Sequence, residues 1–214
     1  MIEEVVLLLS GGMDSTTLLY YLLEKGYHVH TLTFDYGQKH NREIESARKI
    51  AKINDVPNKV VDITTITGLL QGSSLIQEDV PIPEGHYEDE SMKSTVVPNR
   101  NMILLSLAVG YAVSNGISRV FYAAHSGDHA IYPDCRPEFF DKINQLTLIS
   151  NYQPVVVQAP FLHKNKNEIA SMGKDLGVPF NLTWTCYKGG KSPCGVCGSC
   201  VERREAMESI GITE

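Results

Sequence analysis

The residues best able to do chemistry stand in two groups far apart in the chain. In the first, Ser10-Gly11-Gly12-Met13-Asp14-Ser15 follows a short apolar run, Val5 to Leu9. It precedes a helical pattern, Ser15 to Lys25, with Leu18, Leu19, Leu22 and Leu23 at helical spacing and Gly26 as its stop. Two glycines let a backbone come close to an anion, and a helix N-terminus aims free N–H groups at it. Ser10, Ser15, Thr16 and Thr17 add hydroxyl donors, and Asp14 can hold Mg2+ beside phosphates. The plainer reading is a strand-to-helix turn with Asp14 as its cap. No Gly-Lys-Ser/Thr follows, so this is not a Walker A loop, and it is not the dinucleotide fingerprint either.

In the second group, Cys186, Cys194, Cys197 and Cys200 are spaced C-x7-C-x2-C-x2-C. Four thiolates converging on one point suit a tetrahedral structural zinc and leave no open coordination position. Glycines at 189, 190, 195 and 198 permit tight knuckles, and Pro193 stiffens the approach. An iron–sulfur cluster shares part of this spacing, and free or redox-active thiols are the third reading. Cys135 stands apart and reads as a small packed side chain.

The elements that must position these groups alternate. Strands are expected at Val5 to Leu9, His28 to Phe34, Val60 to Ile63, Arg119 to Ala124 and Pro154 to Gln158. Helices are expected at Ser15 to Lys25, Arg42 to Ile53 (core face Ile44, Ala47, Ile50 and Ala51), Met102 to Val113, Glu138 to Ile149, Asn167 to Leu176 and Glu202 to Ser209. Met102 to Val113 is apolar on nearly all sides and reads as well buried. Residues 64-94, rich in Gly and Pro and carrying the acidic run Glu88, Asp89, Glu90, read as a long surface loop or lid with a solvated acidic face. The expected fold class is α/β: a Rossmann-like, doubly wound, mostly parallel sheet with helices on both faces, plus a small C-terminal zinc-binding knuckle. Ligands in such folds bind beyond the carboxyl ends of the strands, at the point where strand order reverses.

Composition narrows the classes. The chain has 214 residues, 43% of them hydrophobic and 21% charged, which excludes a disordered chain and a coiled coil. Its formal net charge of −6 and lack of a Lys/Arg cluster argue against direct nucleic-acid binding. No apolar run approaches a membrane span, and the start lacks the basic character of a signal peptide, so the expected location is cytoplasmic.

Ser-Gly-Gly-x-Asp-Ser after a first strand resembles the pyrophosphate loop (PP-loop) of the N-type ATP pyrophosphatases, which adenylate a substrate oxygen and release pyrophosphate. Three further blocks narrow the resemblance: Val97-Pro98-Asn99-Arg100-Asn101, then Gly127 to Phe139 with Tyr132-Pro133-Asp134-Cys135-Arg136 at its centre, then Thr183-Trp184-Thr185-Cys186-Tyr187 leading into the last three cysteines and Arg203. Together, from about Val5 to Arg203, they resemble the QueC family of 7-cyano-7-deazaguanine synthases. Many members carry an aromatic residue at the position of Val96, Gly at that of Asn99 and Ser-Gly at that of Ala130-Ile131.

The resemblance implies a C–N bond-forming ligase that uses ATP and Mg2+ to turn 7-carboxy-7-deazaguanine and ammonia into the nitrile, for queuosine or archaeosine in tRNA. It also implies one structural Zn2+ on Cys186, Cys194, Cys197 and Cys200, and commonly a homodimer. It divides the chain into a PP-loop domain, 1-180, and a zinc-binding segment, 181-214, packed on it. Residues Leu9, Ser10, Gly11, Gly12, Met13, Asp14, Ser15, Thr16, Thr17, Leu18 and Leu19 would contact the nucleotide, and Asp14, Ser15, Arg100 and Lys166 would act in catalysis. Arg100 suits the substrate carboxylate or the α-phosphate, and its plainer role is a salt bridge at a helix start. Asp134 suits the ring N–H and amine of a guanine-like base; Arg136 would pair with Asp134 or phosphate, and Tyr132 or Phe139 would stack on the base. His125 and Asp128 fall at a strand end, where His125 would help deprotonate ammonium. Competing readings are a QueC-like enzyme that stops at the amide or conjugates the deazaguanine to another amine such as a protein N-terminus, a tRNA thiolase sharing the loop, and a non-catalytic zinc module.

Overall fold

The computed structural model describes residues 2–87 and 89–213. Five parallel strands, β1 (Glu4–Leu8), β2 (His28–Asp35), β3 (Asn58–Asp62), β4 (Arg119–Phe121) and β5 (Val156–Gln158), form one sheet in the order β3-β2-β1-β4-β5. The order reverses between β1 and β4, so a crevice opens there at the carboxyl ends of the strands. Val5 and Leu7 face one side with Val29, and Val6 faces the other with Leu32, the period of two that buries both faces of a central strand.

Among the described residues, six α-helices cover the sheet: α1 (Met13–Glu24), α2 (Arg42–Ile53), α3 (Arg100–Ser114), α4 (Pro137–Thr147), α5 (Lys166–Asp175) and α6 (Gly198–Ser209). Leu18, Leu19 and Leu22 of α1, Ala47, Ile50 and Ala51 of α2 and Ile169 of α5 fill one face; Leu105, Ala108 and Ala112 of α3 and Ile143 of α4 fill the other. The α6 helix packs on α5, outside the first layer. The predicted alternation and parallel sheet are therefore present.

Two expectations need correction. The α3 helix is apolar but not enclosed: Met102 and Leu107 are exposed, as are Leu146, Leu148 and Ile149 at and beyond the end of α4. On this face α3 and α4 are joined by Leu70, Leu75 and Met92 of the 64-94 segment, and none of these covers the outer side of α3 at Met102 and Leu107. Residues 64-94 are also no loose surface loop. They hold two 3-10 helices, Thr64–Leu69 and Glu90–Thr95, and bury Ser73, Ser74 and Met92 completely. Ser74 N–H donates to the Ser94 carbonyl at 2.7 Å, Lys39 Nζ to Val80 at 2.8 Å, and Gly85 N–H to Val196 at 3.1 Å, so the segment is tied to the β2 end and to the cysteine knuckle. Of the acidic run, Glu88 lies outside the described residues; Asp89 accepts from His86 N–H, and exposed Glu90 pairs with Lys93.

Candidate active site

The loop after β1 takes its shape from local chemistry. Gly12 is extended (φ −78°, ψ 170°) and stands at the N-cap of α1, which starts two residues before the predicted Ser15 and so places Asp14 in the first helical turn. Ser10 and Ser15 hydroxyls meet at 2.9 Å, Ser15 Oγ accepts from Ser10 N–H at 3.2 Å, and Thr16 Oγ1 donates to the Gly12 carbonyl at 2.7 Å. Gly11 adopts φ +87°, and a Cβ there would stand 2.2 Å from the Glu43 carbonyl oxygen. Its lack of a side chain therefore serves the close approach of α2 to the loop.

Asp14 is the hub of the crevice. Lys166, the first residue of α5, donates to Asp14 Oδ2 at 2.8 Å and stands 3.1 Å from Glu202 Oε2 of α6. His125 Nε2 lies 3.8 Å from Asp14 and 3.5 Å from Asp128. Burial alone would raise the Asp14 pKa, but Lys166 and His125 more than offset it and hold the carboxyl below its ordinary value. Burial likewise works against the Lys166 charge, and Asp14 and Glu202 reverse that effect and raise it. Asp14 Oδ1 remains buried with no hydrogen-bond partner among the described residues. A carboxylate oxygen of that kind beside a phosphate-shaped loop fits a Mg2+ ion.

The crevice, of about 240 Å³, collects many of the predicted residues and adds several the sequence reading passed over. Leu9, Ser10, Gly12, Met13, Asp14, Ser15, Arg100, His125, Asp128 and Lys166 line it. Thr16, Thr17, Leu18 and Leu19 do not: all four are fully buried, because only the first turn of α1 faces the crevice. His125 Nδ1 accepts from Gly127 N–H at 3.2 Å, so the proton sits on Nε2, toward the carboxylates. His125 Nε2 is thereby turned toward the Asp14 and Asp128 carboxylates, and its ring lines the crevice.

Tyr132, Asp134 and Arg136 do not line the crevice. The Tyr132 hydroxyl bonds Thr95 Oγ1 at 2.6 Å and Tyr187 at 3.2 Å. Asp134 Oδ2 accepts from Asn101 N–H at 2.9 Å and so closes the first turn of α3. Arg136 donates to the carbonyls of His129 and Ala130 instead of pairing with Asp134. Phe139 packs against the core on the α3 side. Arg100 has no carboxylate within 4.0 Å among the described residues and lies over the Tyr36 ring at 5.9 Å, so the plainer alternative of a salt bridge at the helix start is absent and the guanidinium lines the crevice. Asn99, just before it, has φ +58°, a conformation free for Gly and least costly among other residues for Asn or Asp.

The missed residues come from the end of β2 and the start of α2: Tyr36, Gln38, Lys39, His40 and Glu43 all line the crevice. Of its carboxylates, Asp14, Asp128 and Glu202 are engaged, Asp128 by Tyr87 at 3.0 Å. Glu43 has no hydrogen-bond or ion-pair partner among the described residues, and burial pushes its pKa up to about 7. For Tyr36, Gln38, Lys39 and His40, the position beyond the carboxyl end of β2 was the available signal; Glu43, on the charged helix α2, offered none.

The cysteines form the adjoining wall. Their four Sγ atoms lie within 4.8 Å of one another, and Cys186, Cys197 and Cys200 are buried. Cys194 N–H donates to Cys186 Sγ at 3.3 Å and Cys197 N–H to Cys194 Sγ at 3.4 Å, contacts suited to thiolates. The cluster is compatible with a tetrahedral zinc. Buried Arg203 of α6 donates to Thr183 Oγ1 at 2.6 Å and to the Phe180 carbonyl at 2.8 Å. Trp184 N–H donates to the Gly11 carbonyl at 2.9 Å, which joins this wall to the loop after β1. Burial pushes the Cys135 thiol well up, in keeping with a packed side chain.

Comparison with known proteins agrees with this geometry. The family model for queuosine biosynthesis protein QueC matches residues 4–211. The chain is 51% identical over 214 residues to a 7-cyano-7-deazaguanine synthase of Marinobacter nauticus, covering 100% of this chain and 96% of that one. It is 55% identical over 214 residues to 7-cyano-7-deazaguanine synthase 1 of Colwellia psychrerythraea, covering 100% and 98%. Among solved structures, the predicted subunit of a tRNA methyltransferase from Methanocaldococcus jannaschii shares the fold with a TM-score of 0.54 at 15% identity, over 99% of this chain and 90% of that one.

Proposed function

The chain belongs to the QueC family of queuosine biosynthesis proteins, and from that premise we propose that it is an ATP-dependent ligase converting 7-carboxy-7-deazaguanine and ammonia to 7-cyano-7-deazaguanine. The observation that carries this reading is the Asp14–Lys166 pair at the head of the Ser10 to Ser15 loop, set where strand order reverses.

The chemistry needs two activations. A substrate carboxylate oxygen attacks the α-phosphorus of ATP, and the bond to pyrophosphate breaks. Ammonia then adds to the acyl carbon, AMP leaves and a proton is lost, giving the amide. The amide oxygen repeats the attack on a second ATP, and loss of AMP with the remaining N–H protons leaves the nitrile. Two ATP thus become two AMP and two pyrophosphate.

Negative charge gathers at the phosphates, so preorganised donors supply most of the catalysis. The first-turn N–H groups of α1 and the Ser10 and Ser15 hydroxyls receive pyrophosphate. Asp14 Oδ1 would hold Mg2+, which when bound would neutralise phosphate charge. Lys166 is held by Asp14 and Glu202 at the α-phosphate. Arg100 takes the substrate carboxylate. Glu43, the free carboxylate, accepts from the ring N–H and amine of the base, a role for which Asp134 is badly placed. Tyr132, Asp134 and Arg136, which do not line the crevice, have supporting roles. Cys186, Cys194, Cys197 and Cys200 would hold a single structural zinc, which would keep Trp184 to Tyr187 and Ser199 to Glu202 in place. In this reading, residues 1-180 form the catalytic body and 181-214 the zinc-holding segment.

The exposed Met102, Leu107, Leu146 and Ile149 face is where a second copy would pack to form a homodimer, which light scattering on a sizing column would register. No described helix is long and apolar enough to cross a membrane. Five free cysteines suit a reducing cytoplasm, and the net charge suits small-molecule substrates with no direct nucleic-acid contact.

The test is mass spectrometry of products from ATP, Mg2+, ammonium and 7-carboxy-7-deazaguanine. Nitrile with two AMP per product is expected. Amide alone with AMP would move the assignment to the amide-forming or conjugating branch, and no AMP would overturn it.

A further inference from the structure

At the end of the sheet opposite the crevice, three metal-ligating side chains share one face. The register pairs Glu4 of β1 with His28 of β2, and His30 follows two residues on. All three therefore leave the sheet on the side of Val6 and Leu32, toward α3. Glu4 Oε1 lies 3.4 Å from His28 Nδ1, and Oε2 lies 3.7 Å from His30 Nε2. The two imidazoles meet edge to face, 5.1 Å between centroids. Ligand atoms about 2.0–2.2 Å from a tetrahedral zinc stand about 3.3–3.6 Å apart, close to the spacing found here.

A second observation points the same way. His30 Nε2 is buried and has no hydrogen-bond partner among the described residues, while Nδ1 lies 3.4 Å from the Tyr111 hydroxyl of α3. With Nδ1–H donating to the phenol oxygen, the Nε2 lone pair is left facing Glu4 and His28. That is the tautomer a metal needs, and Tyr111 stands where an outer partner fixes the ring of a ligating histidine. The neighbouring charges are otherwise engaged: Glu3 pairs with Arg119 at 2.7 Å, and Lys59 lies over the Tyr111 ring at 5.7 Å.

We propose that Glu4, His28 and His30 form a second divalent-metal site, separate from the four cysteines, that takes a borderline transition ion such as Zn2+ and clips β1 to β2 at their amino ends. Two imidazoles and one carboxylate favour zinc, nickel or copper over magnesium or calcium, and the fourth position is open to water. The site lies at the far end of the strands from the reaction, so its occupancy acts on stability and leaves turnover unchanged.

The experiment titrates Zn2+ by calorimetry, in a buffer that does not chelate, into protein already carrying one zinc at its cysteines, and follows the melting temperature in parallel. One further equivalent per chain and a rise in Tm are expected. His30→Ala removes both, Glu4→Gln weakens binding, and Tyr111→Phe weakens it about tenfold; kcat stays the same in all three. His28→Ala, at a position whose side chain is 53% exposed, gives the same reading without disturbing the core. No second equivalent at millimolar zinc, or one that survives His30→Ala and His28→Ala, overturns the site.

Discussion

The same strands end in two different environments. At their carboxyl ends Asp14, Lys166, Glu202, His125 and Asp128 form one buried network, with Lys166 and Glu202 each only 13% exposed at the side chain. At their amino ends Glu3, Glu4, His28 and Arg119 make pairs whose side chains are 35% to 53% exposed. Charge is present at both ends; burial differs. Desolvation makes each partner in the first network depend on the others, whereas water can replace any partner in the second.

This contrast is sharpest at Lys166. Lys166→Ala leaves Asp14 and Glu202 buried without their cation, so a loss of about 3–5 kcal/mol is expected in chemical denaturation. AMP formation should fall roughly a hundred- to a thousandfold. A variant of near-normal stability would show that the network is wetter than its burial implies. Next comes Cys197→Ser: bound zinc should drop below half an equivalent by metal analysis, with a lower Tm and reduced AMP formation. Iron in place of zinc in the unaltered protein would reject the zinc reading.

Glu43→Gln should have a smaller, pH-dependent effect. With a folded pKa of about 7, above the ordinary 4.5, Glu43 keeps a proton in the folded chain that the unfolded chain releases. Its presence therefore lowers stability progressively as pH rises from about 4.5 to 7, and the loss persists above. The variant should gain more stability at pH 8 than at pH 5, and its KM for the deazaguanine acid should rise. A gain independent of pH would place the carboxyl in water. Least affected should be Arg119→Ala at the amino ends: about 1 kcal/mol or less, with turnover unchanged. A large loss there would erase the difference between the two ends.

What the sequence made legible follows the same division between local and tertiary causes. The loop after β1 and the cysteine knuckle are encoded by spacing within short segments, so glycine, serine and cysteine patterns announce them. The sheet follows from alternation of apolar runs. Glu43 was invisible because a lone carboxylate on the charged helix α2 looks solvated; only the approach of α2 against Gly11 turns it into the crevice. Residues 64-94 misled for a related reason: Gly and Pro signal the lack of regular structure, and they do not signal exposure, so Ser73, Ser74 and Met92 gave no hint of burial. The outer face of α3 erred in the opposite sense, since Met102 and Leu107 report what a helix prefers to bury and not whether anything covers it. Asp134 was a sound chemical choice, but its Oδ2 accepts from Asn101 N–H and it does not line the crevice.

The single bond from Trp184 N–H to the Gly11 carbonyl has a physiological reach. It ties the loop after β1 to the segment that carries the four clustered cysteines. On the proposed reading, with ATP at that loop and zinc on the cysteines, an oxidant or a chelator would slacken the grip on ATP while leaving every residue of the loop chemically intact. The supply of the modified nucleoside would then track the thiol balance of the cell, and a preparation handled in air would pass for an enzyme with a defective phosphate site.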